Sequence, residues 1–400
     1  MKFFNRLFII VVFFVFCLPT NSKFYLEIGG ILVSIREIGF ILLPIINLLC
    51  VKVKNNSIVG KKIRIRVYFL ILIVLFTEIV IKGLIYSQGI GNAIKTIRLG
   101  VPLISSLIIL VQGLRPNIGY VWRAFILAIF ISVLISFLSI IMNISFLYQD
   151  LEDGVNVIAH TQGRLINSNA SFGIIALFLL LDNKNRWYNK GRMVKIALLF
   201  SVLSLVLTFN RTYWAILFLL TFYLILKRFK IKHIVKMMFM MTVFLLTVFY
   251  LYQNNIQIKN QLDNRVFSIL SGSMSIAEST VDGNREIIYE GVLNRLFQGH
   301  WIIGLPYDIE IFTWPSIYGK DEREMTVTDT SMINILLRYG IASLLLVINL
   351  FKNIFWKDKE VKLIFIAYLL ASLNVDSLMG QNSIFFLFIF LMVHKNDNKL

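Results

Sequence analysis

Residues 51–66 read "VKVKNNSIVGKKIRIR" and residues 67–86 continue "VYFLILIVLFTEIVIKGLIY". The first stretch carries Lys52, Lys54, Lys61, Lys62, Arg64 and Arg66 with no acid. The second is a run of about 20 mostly apolar residues, the length needed to cross the hydrocarbon layer of a bilayer as a helix. Lys and Arg are retained on the cytoplasmic side of a membrane, so a basic loop followed by such a run reads as a threaded chain. The same juxtaposition recurs in "NKNRWYNKGRMVK" (183–195), "KRFKIKHIVK" (227–236) and "KNIFWKDKEVK" (352–362).

Working outward from Val67–Tyr86 gives an all-α, polytopic membrane bundle of about twelve spans. Before it come Phe3–Pro19 and Leu26–Cys50, the latter with charges near its middle. After it come Ile97–Gln112, Ala124–Phe146, Ala170–Leu181, Ile196–Phe209, Tyr213–Leu226 and Met237–Tyr252. Ser331–Phe351, Leu363–Leu373 and Ile384–Val393 complete the set. With the N-terminus inside, all four basic loops and the tail "HKNDNKL" fall on the cytoplasmic side. Residues 1–400 then form one integral membrane domain, whose largest connection, Gln253–Thr330, lies outside between the ninth and tenth spans.

Composition agrees. The chain is 58% hydrophobic and 16% charged, whereas a soluble domain averages about 45–50% and about 25%. The formal net charge of +18 would suit nucleic acid, but here the basic residues sit in short clusters between apolar runs, so no nucleic-acid partner is expected. Lys2 and Arg6 before the run Leu7–Leu18 imitate a secretion signal. The following "VFCLPTNSK" lacks a small-x-small cleavage pattern, so an uncleaved first helix is expected. Cys17 and Cys50 both lie in apolar runs and offer neither a disulfide framework nor a zinc site. P-loop, dinucleotide, metal-binding and nucleophile-elbow patterns are absent, so no cofactor or metal is expected.

Chemistry-bearing residues gather on the side opposite the basic loops. Arg211 sits in "LTFNRTYWAILFLL" (207–220), between two apolar runs, where a charge faces a cavity or caps a tight turn. Arg164 lies in "GRLINSNASFG" (163–173), with Asn167 and Asn169 following as helix caps or as anion and sugar ligands. The large connection holds "GNREIIYEGVLNRLFQGHWIIGLPYD" (283–308). Its apolar residues from Ile287 to Phe297 recur at helical spacing and predict an amphipathic helix along the membrane surface, with Arg285 and Arg295 on it. A Gly/Pro turn with His300 follows. Asp329 opens the tenth span in "TDTSMINILLRYGIASLLL" (328–346), as an N-cap or as a carboxylate able to take a proton.

At these four segments the chain resembles the O-antigen polymerase/ligase family of bacterial membrane glycosyltransferases. "GRLINSNASFG" is similar to that family's arginine with an N-P-N-type helix start, and "LTFNRTYWAILFLL" to its Thr-x-Ser-Arg entry. The loop segment resembles its arginine-led helix ending in a Gly-x-Gly-type turn. The last resembles its His/Asp-Asn-Ser-x-Leu stretch followed by Leu-x-x-x-Gly-x-x-Gly. Asn210 stands where serine is usual, Thr330 where asparagine is, and Asp329 where ligases carry a histidine, which favours the polymerase branch.

The resemblance implies a GT-C-like architecture in the bacterial cytoplasmic membrane. It also implies joining of undecaprenyl-pyrophosphate-linked repeat units at the outer face, yielding O-antigen, capsule or exopolysaccharide. Arg164, Arg211 and Arg285 are the residues expected on the pyrophosphate, with Asn167, Asn169, Arg295 and His300 as further ligands. Asp329 is expected to orient or deprotonate the acceptor. Partners would be membrane lipid and, in the same pathway, a chain-length regulator and a flippase. The alternatives are a ligase that differs only in its acceptor, a flippase or transporter of the same lipid-linked units, and a non-catalytic scaffold.

Overall fold

The computed structural model describes residues 2–18, 25–28, 31–51, 61–85, 89–142, 169–181, 191–208, 210–227, scattered positions within 235–263, and residues 283–305, 309–314, 323–325, 331–355 and 359–371. The twelfth span, half of the ninth and residues 147–168 lie outside the described residues.

The described chain is predominantly helical. Helix α1 (Lys2–Cys17) is followed by strands β1 (Tyr25–Ile28) and β2 (Ile31–Ser34), then α2 (Ile35–Leu49). Helix α3 (Lys61–Leu75) runs on as a wide π-helical segment (Phe76–Ile85). Then come α4 (Ile90–Leu99), α5 (Val101–Gln112), α6 (Ile118–Met142), α7 (Phe172–Leu181), α8 (Arg192–Leu207) and α9 (Arg211–Lys227). The large connection contributes α10 (Gly283–Arg295), a short π turn (Leu296–His300), and β3 (Phe312–Trp314) paired antiparallel with β4 (Arg323–Met325). Helices α11 (Ser331–Phe355) and α12 (Lys359–Ala371) close the described part.

Among the described residues, three stretches are long and apolar enough to cross a membrane: Arg64–Ile85, Ile118–Leu138 and Met332–Leu350, of 22, 21 and 19 residues. At 1.5 Å per residue they reach about 33, 31 and 28 Å, against about 30 Å of hydrocarbon. The α4–α5 pair makes a fourth if its 68° bend is counted within one span. Apolar side chains also face outward: α3 exposes Ile65, Phe69 and Leu72, and α9 exposes Phe218 and Phe222. Helices apolar on both their packed and outward faces suit an apolar surrounding.

Two expected spans are built differently. Leu26–Cys50 is not one helix. Its first part is a hairpin in which Ile28 pairs with Ile31, with Gly29 and Gly30 between, and the helix starts only at Ile35. A Gly-Gly pair flanked by β-branched residues favours a two-residue hairpin link over a helix interior. Ser34 then caps α2, accepting from the Arg36 amide while Glu37 accepts from the Ser34 amide. Ile97–Gln112 is likewise divided: α4 ends at Leu99 and α5 starts at Val101, because Pro102 suits the first turn of a new helix.

The main core runs through α1, α2, α3, α5, α6, α7, α8, α9, α11 and α12. Phe8, Val12 and Phe16 of α1 are buried, and Phe16 meets Phe40 and Phe125 edge to face. Several polar side chains within it find partners, as an apolar medium favours. Asn47 donates to Gln112 Oε1 and the Gly113 carbonyl and accepts from the Arg115 amide, fastening α2 to the end of α5. Helices α7 and α8 approach closely at Gly173, where an added Cβ would lie 2.6 Å from Leu205 Cβ. Gly173→Leu is therefore expected to force the two helices apart and to cost about 1–3 kcal/mol, read as a lower thermal midpoint of the detergent-solubilised chain.

Candidate functional site

Helix α11 breaks in its interior. Gly340 has φ 79° and ψ 170°, a conformation essentially reserved for glycine. The break separates backbone groups that would otherwise pair along the helix, and an apolar surrounding offers no water to replace those pairs. The turn after α10 supplies the substitutes. Ile341 N donates to the Trp301 carbonyl at 2.8 Å, and Leu305 N donates to the Leu337 carbonyl. The crossing is tight enough that Gly304, itself at φ 89°, has no room for a side chain: an added Cβ would lie 2.6 Å from the Arg338 oxygen. A Cβ on Gly340 would run into the Ile302 oxygen.

The Arg338 carbonyl takes its hydrogen bond from Lys82, on the π-helical segment that extends α3. Lys82 Nζ also donates to the Leu305 carbonyl at 3.2 Å and to Glu78 Oε1 at 2.6 Å. An ammonium has three protons, so all three are used. Glu78 and Lys82 are 1% and 2% exposed, and Arg338 is 0% exposed. Glu78 Oε2 is buried and takes no hydrogen bond from the described residues.

Two further cations secure the same loop. Arg338 Nη2 donates to the Ile309 carbonyl at 3.0 Å, and Arg295 Nε donates to the Glu310 carbonyl at 3.0 Å. Around these contacts Val292, Leu305, Ile311 and Leu337 form a small apolar core of their own. Tyr339 donates to the Thr96 carbonyl and so joins the break to the α4–α5 corner. At the other end of the α3–α11 pair, Arg66 donates to Asn349 at 3.0 Å. The two helices are thus antiparallel, and the Lys82 junction lies roughly 24 Å along α3 from Arg66 at 1.5 Å per residue.

The residues expected from sequence fall in several places. Arg164, Asn167 and Asp329 lie outside the described residues. Arg211 is the first residue of α9, and Arg285 lies in the first turn of α10. His300 ends the π turn after α10, where Gly299 has φ 86°. Arg295 is half-buried and bound to Glu310 and Gln298 within its own loop. Asn169 is 1% exposed in the main core, where its amide nitrogen donates to the Phe16 carbonyl at 2.7 Å and Ser132 Oγ at 3.0 Å. Arg295 and His300 share the loop unit that packs on α11; Asn169 belongs to the junction of α1, α6 and α7.

Sequence reasoning missed Glu78, Lys82 and Arg338. The signal was present: two opposite charges four residues apart inside an apolar run, and an arginine amid "NILLRYG". Ionisable residues at membrane depth are functional candidates by default. Among the described residues, no three His, Cys, Asp or Glu side chains come together as a metal would require. The chain matches no family model, no curated protein and no solved structure.

Two outcomes follow from this geometry. Gly340→Ala adds backbone strain of about 1–3 kcal/mol and a collision with Ile302, so folded protein should fall sharply on size-exclusion chromatography. Asn169→Ala removes two buried hydrogen bonds, so the thermal midpoint should drop by an amount equivalent to about 1–3 kcal/mol.

Proposed function

We propose that this chain is a metal-independent membrane glycosyltransferase that polymerises undecaprenyl-pyrophosphate-linked oligosaccharide repeat units at the outer face of a bacterial cytoplasmic membrane. The support begins with the order and spacing of the four segments that resemble the O-antigen polymerase/ligase family. The observation that carries it furthest is that two of these segments interlock. The turn ending the arginine-led loop helix is hydrogen-bonded across the break in the helix that follows Asp329. A loop held this firmly to a transmembrane helix can present fixed charges to a lipid-linked substrate, as electrostatic catalysis requires.

In the proposed reaction an acceptor sugar hydroxyl attacks the anomeric carbon of the donor glycan. A new carbon–oxygen bond forms, the bond to the pyrophosphate oxygen breaks, and the hydroxyl proton passes to Asp329. The departing undecaprenyl pyrophosphate gains charge as it leaves. Arg164, Arg211 and Arg285 stabilise it, since guanidinium forks match phosphate oxygens. Cleavage of the donor's glycosyl–pyrophosphate bond supplies the driving force, and no nucleotide enters.

A transporter of the same lipid-linked units is the second reading. Discontinuous helices are a feature of transporter sites, and the break at Gly340 is the observation that favours it. The two separate on reconstitution, because a transporter forms no glycosidic bond.

The direct test is complementation of a deletion strain with Arg164→Ala, Arg211→Ala and Arg285→Ala, scored by polymer length. Loss of one guanidinium from a charged transition state should lower turnover about 100-fold and leave mostly single repeat units on lipid. Full-length polymer from all three variants would remove these arginines from the mechanism.

A further inference from the structure

The junction at Lys82 has a chemistry that the proposed transfer does not use. Its ammonium lies against three oxygens from three parts of the chain: the Glu78 carboxylate, the Leu305 carbonyl of the loop and the Arg338 carbonyl beside the helix break. Oxygens grouped this way at a broken helix would otherwise need a bound cation or water. Here the cation is covalently tethered to α3 and brings its own counter-ion one turn away. The stretch from Leu305 to Glu310 is held by Lys82 at one end and by Arg338 and Arg295 at the other.

We propose that Lys82 is a positioning residue that locks the large loop onto the broken helix α11, so that the placement of α10 and its arginines is set from α3. The lock goes beyond the proposed reaction and does not depend on which substrate the chain takes. A buried ion pair by itself is weak support for stability, and a well-packed neutral pair often replaces one without loss. The lock differs in requiring proton donors to the two carbonyls, which a methionine lacks.

The test is hydrogen–deuterium exchange of the full chain in lipid nanodiscs, comparing the native protein with the double variant Glu78→Gln/Lys82→Met. That variant leaves no lone buried charge at either position. Exchange should accelerate about tenfold or more in peptides covering 301–305 and 337–341, and remain unchanged in α7. Lys82→Arg, which keeps a cation and several donors opposite Glu78, should retain most of the protection. Three results would overturn the proposal: native-like exchange in the double variant, acceleration spread equally into α7, or an arginine variant as unprotected as the double variant. If the double variant does not accumulate, Lys82→Met alone is read at the same two segments, and unchanged protection there overturns the lock. Because exchange is read without substrate, a failed lock and a failed glycosyl-transfer reading are separate results.

Discussion

Backbone amides and carbonyls surrounded by apolar matter must find partners within the chain, and a helix normally supplies them along its own axis. Helix α11 gives up part of that supply at Gly340. The rest of the site follows from how the debt of hydrogen bonds is met. Main chain from the loop satisfies Leu337 and Ile341, and a side chain from α3 satisfies Arg338. The two provisions meet at one point, because Lys82 reaches the Leu305 and Arg338 carbonyls together. The two glycines are the steric condition for this arrangement, since Gly304 leaves room for the backbone of Arg338 and Gly340, and Gly340 for that of Ile302 and Ile303.

The result joins the loop to the helices mechanically. The small core around Val292, Leu305, Ile311 and Leu337 holds α10 against α11, while cations bind the carbonyls of Leu305, Ile309 and Glu310. In the proposed reaction the charges that meet pyrophosphate would belong to a body continuous with the transmembrane helices. Preorganised charge is effective because it need not be rearranged as the transition state forms. A flexible loop carrying Arg285 would lose that advantage.

Much of the helical architecture was legible in the apolar runs. Val67–Tyr86 corresponds to the end of α3 and its π-helical extension, and Ser331–Phe351 falls within α11. The errors came where local chemistry overrode hydropathy: the Gly29–Gly30 link between two strands, and Pro102 just after a glycine corner. Asn169 shows the limit of reading a polar residue beside a helix start. Composition alone could not say whether its amide would face a substrate or, as here, the carbonyl of Phe16. Lys82 and Arg338 were hidden by their own neighbours, because a window average dilutes single charges. Their importance arises only when segments over 200 residues apart meet, as the 256-residue separation of Lys82 and Arg338 shows.

The Glu78–Lys82 pair also bears on how the polypeptide is made. Synthesis runs from the N-terminus, so α3 must enter the bilayer well before the loop or α11 has left the ribosome. A lone lysine or glutamate within an apolar span disfavours its insertion, by up to about 2.5–3.5 kcal/mol at the helix centre. Four residues apart on one helix, the two can neutralise each other during that wait. The ammonium would thus travel with a temporary companion and acquire its remaining oxygens only when the C-terminal third arrives, making late assembly of the large loop a built-in step of biogenesis.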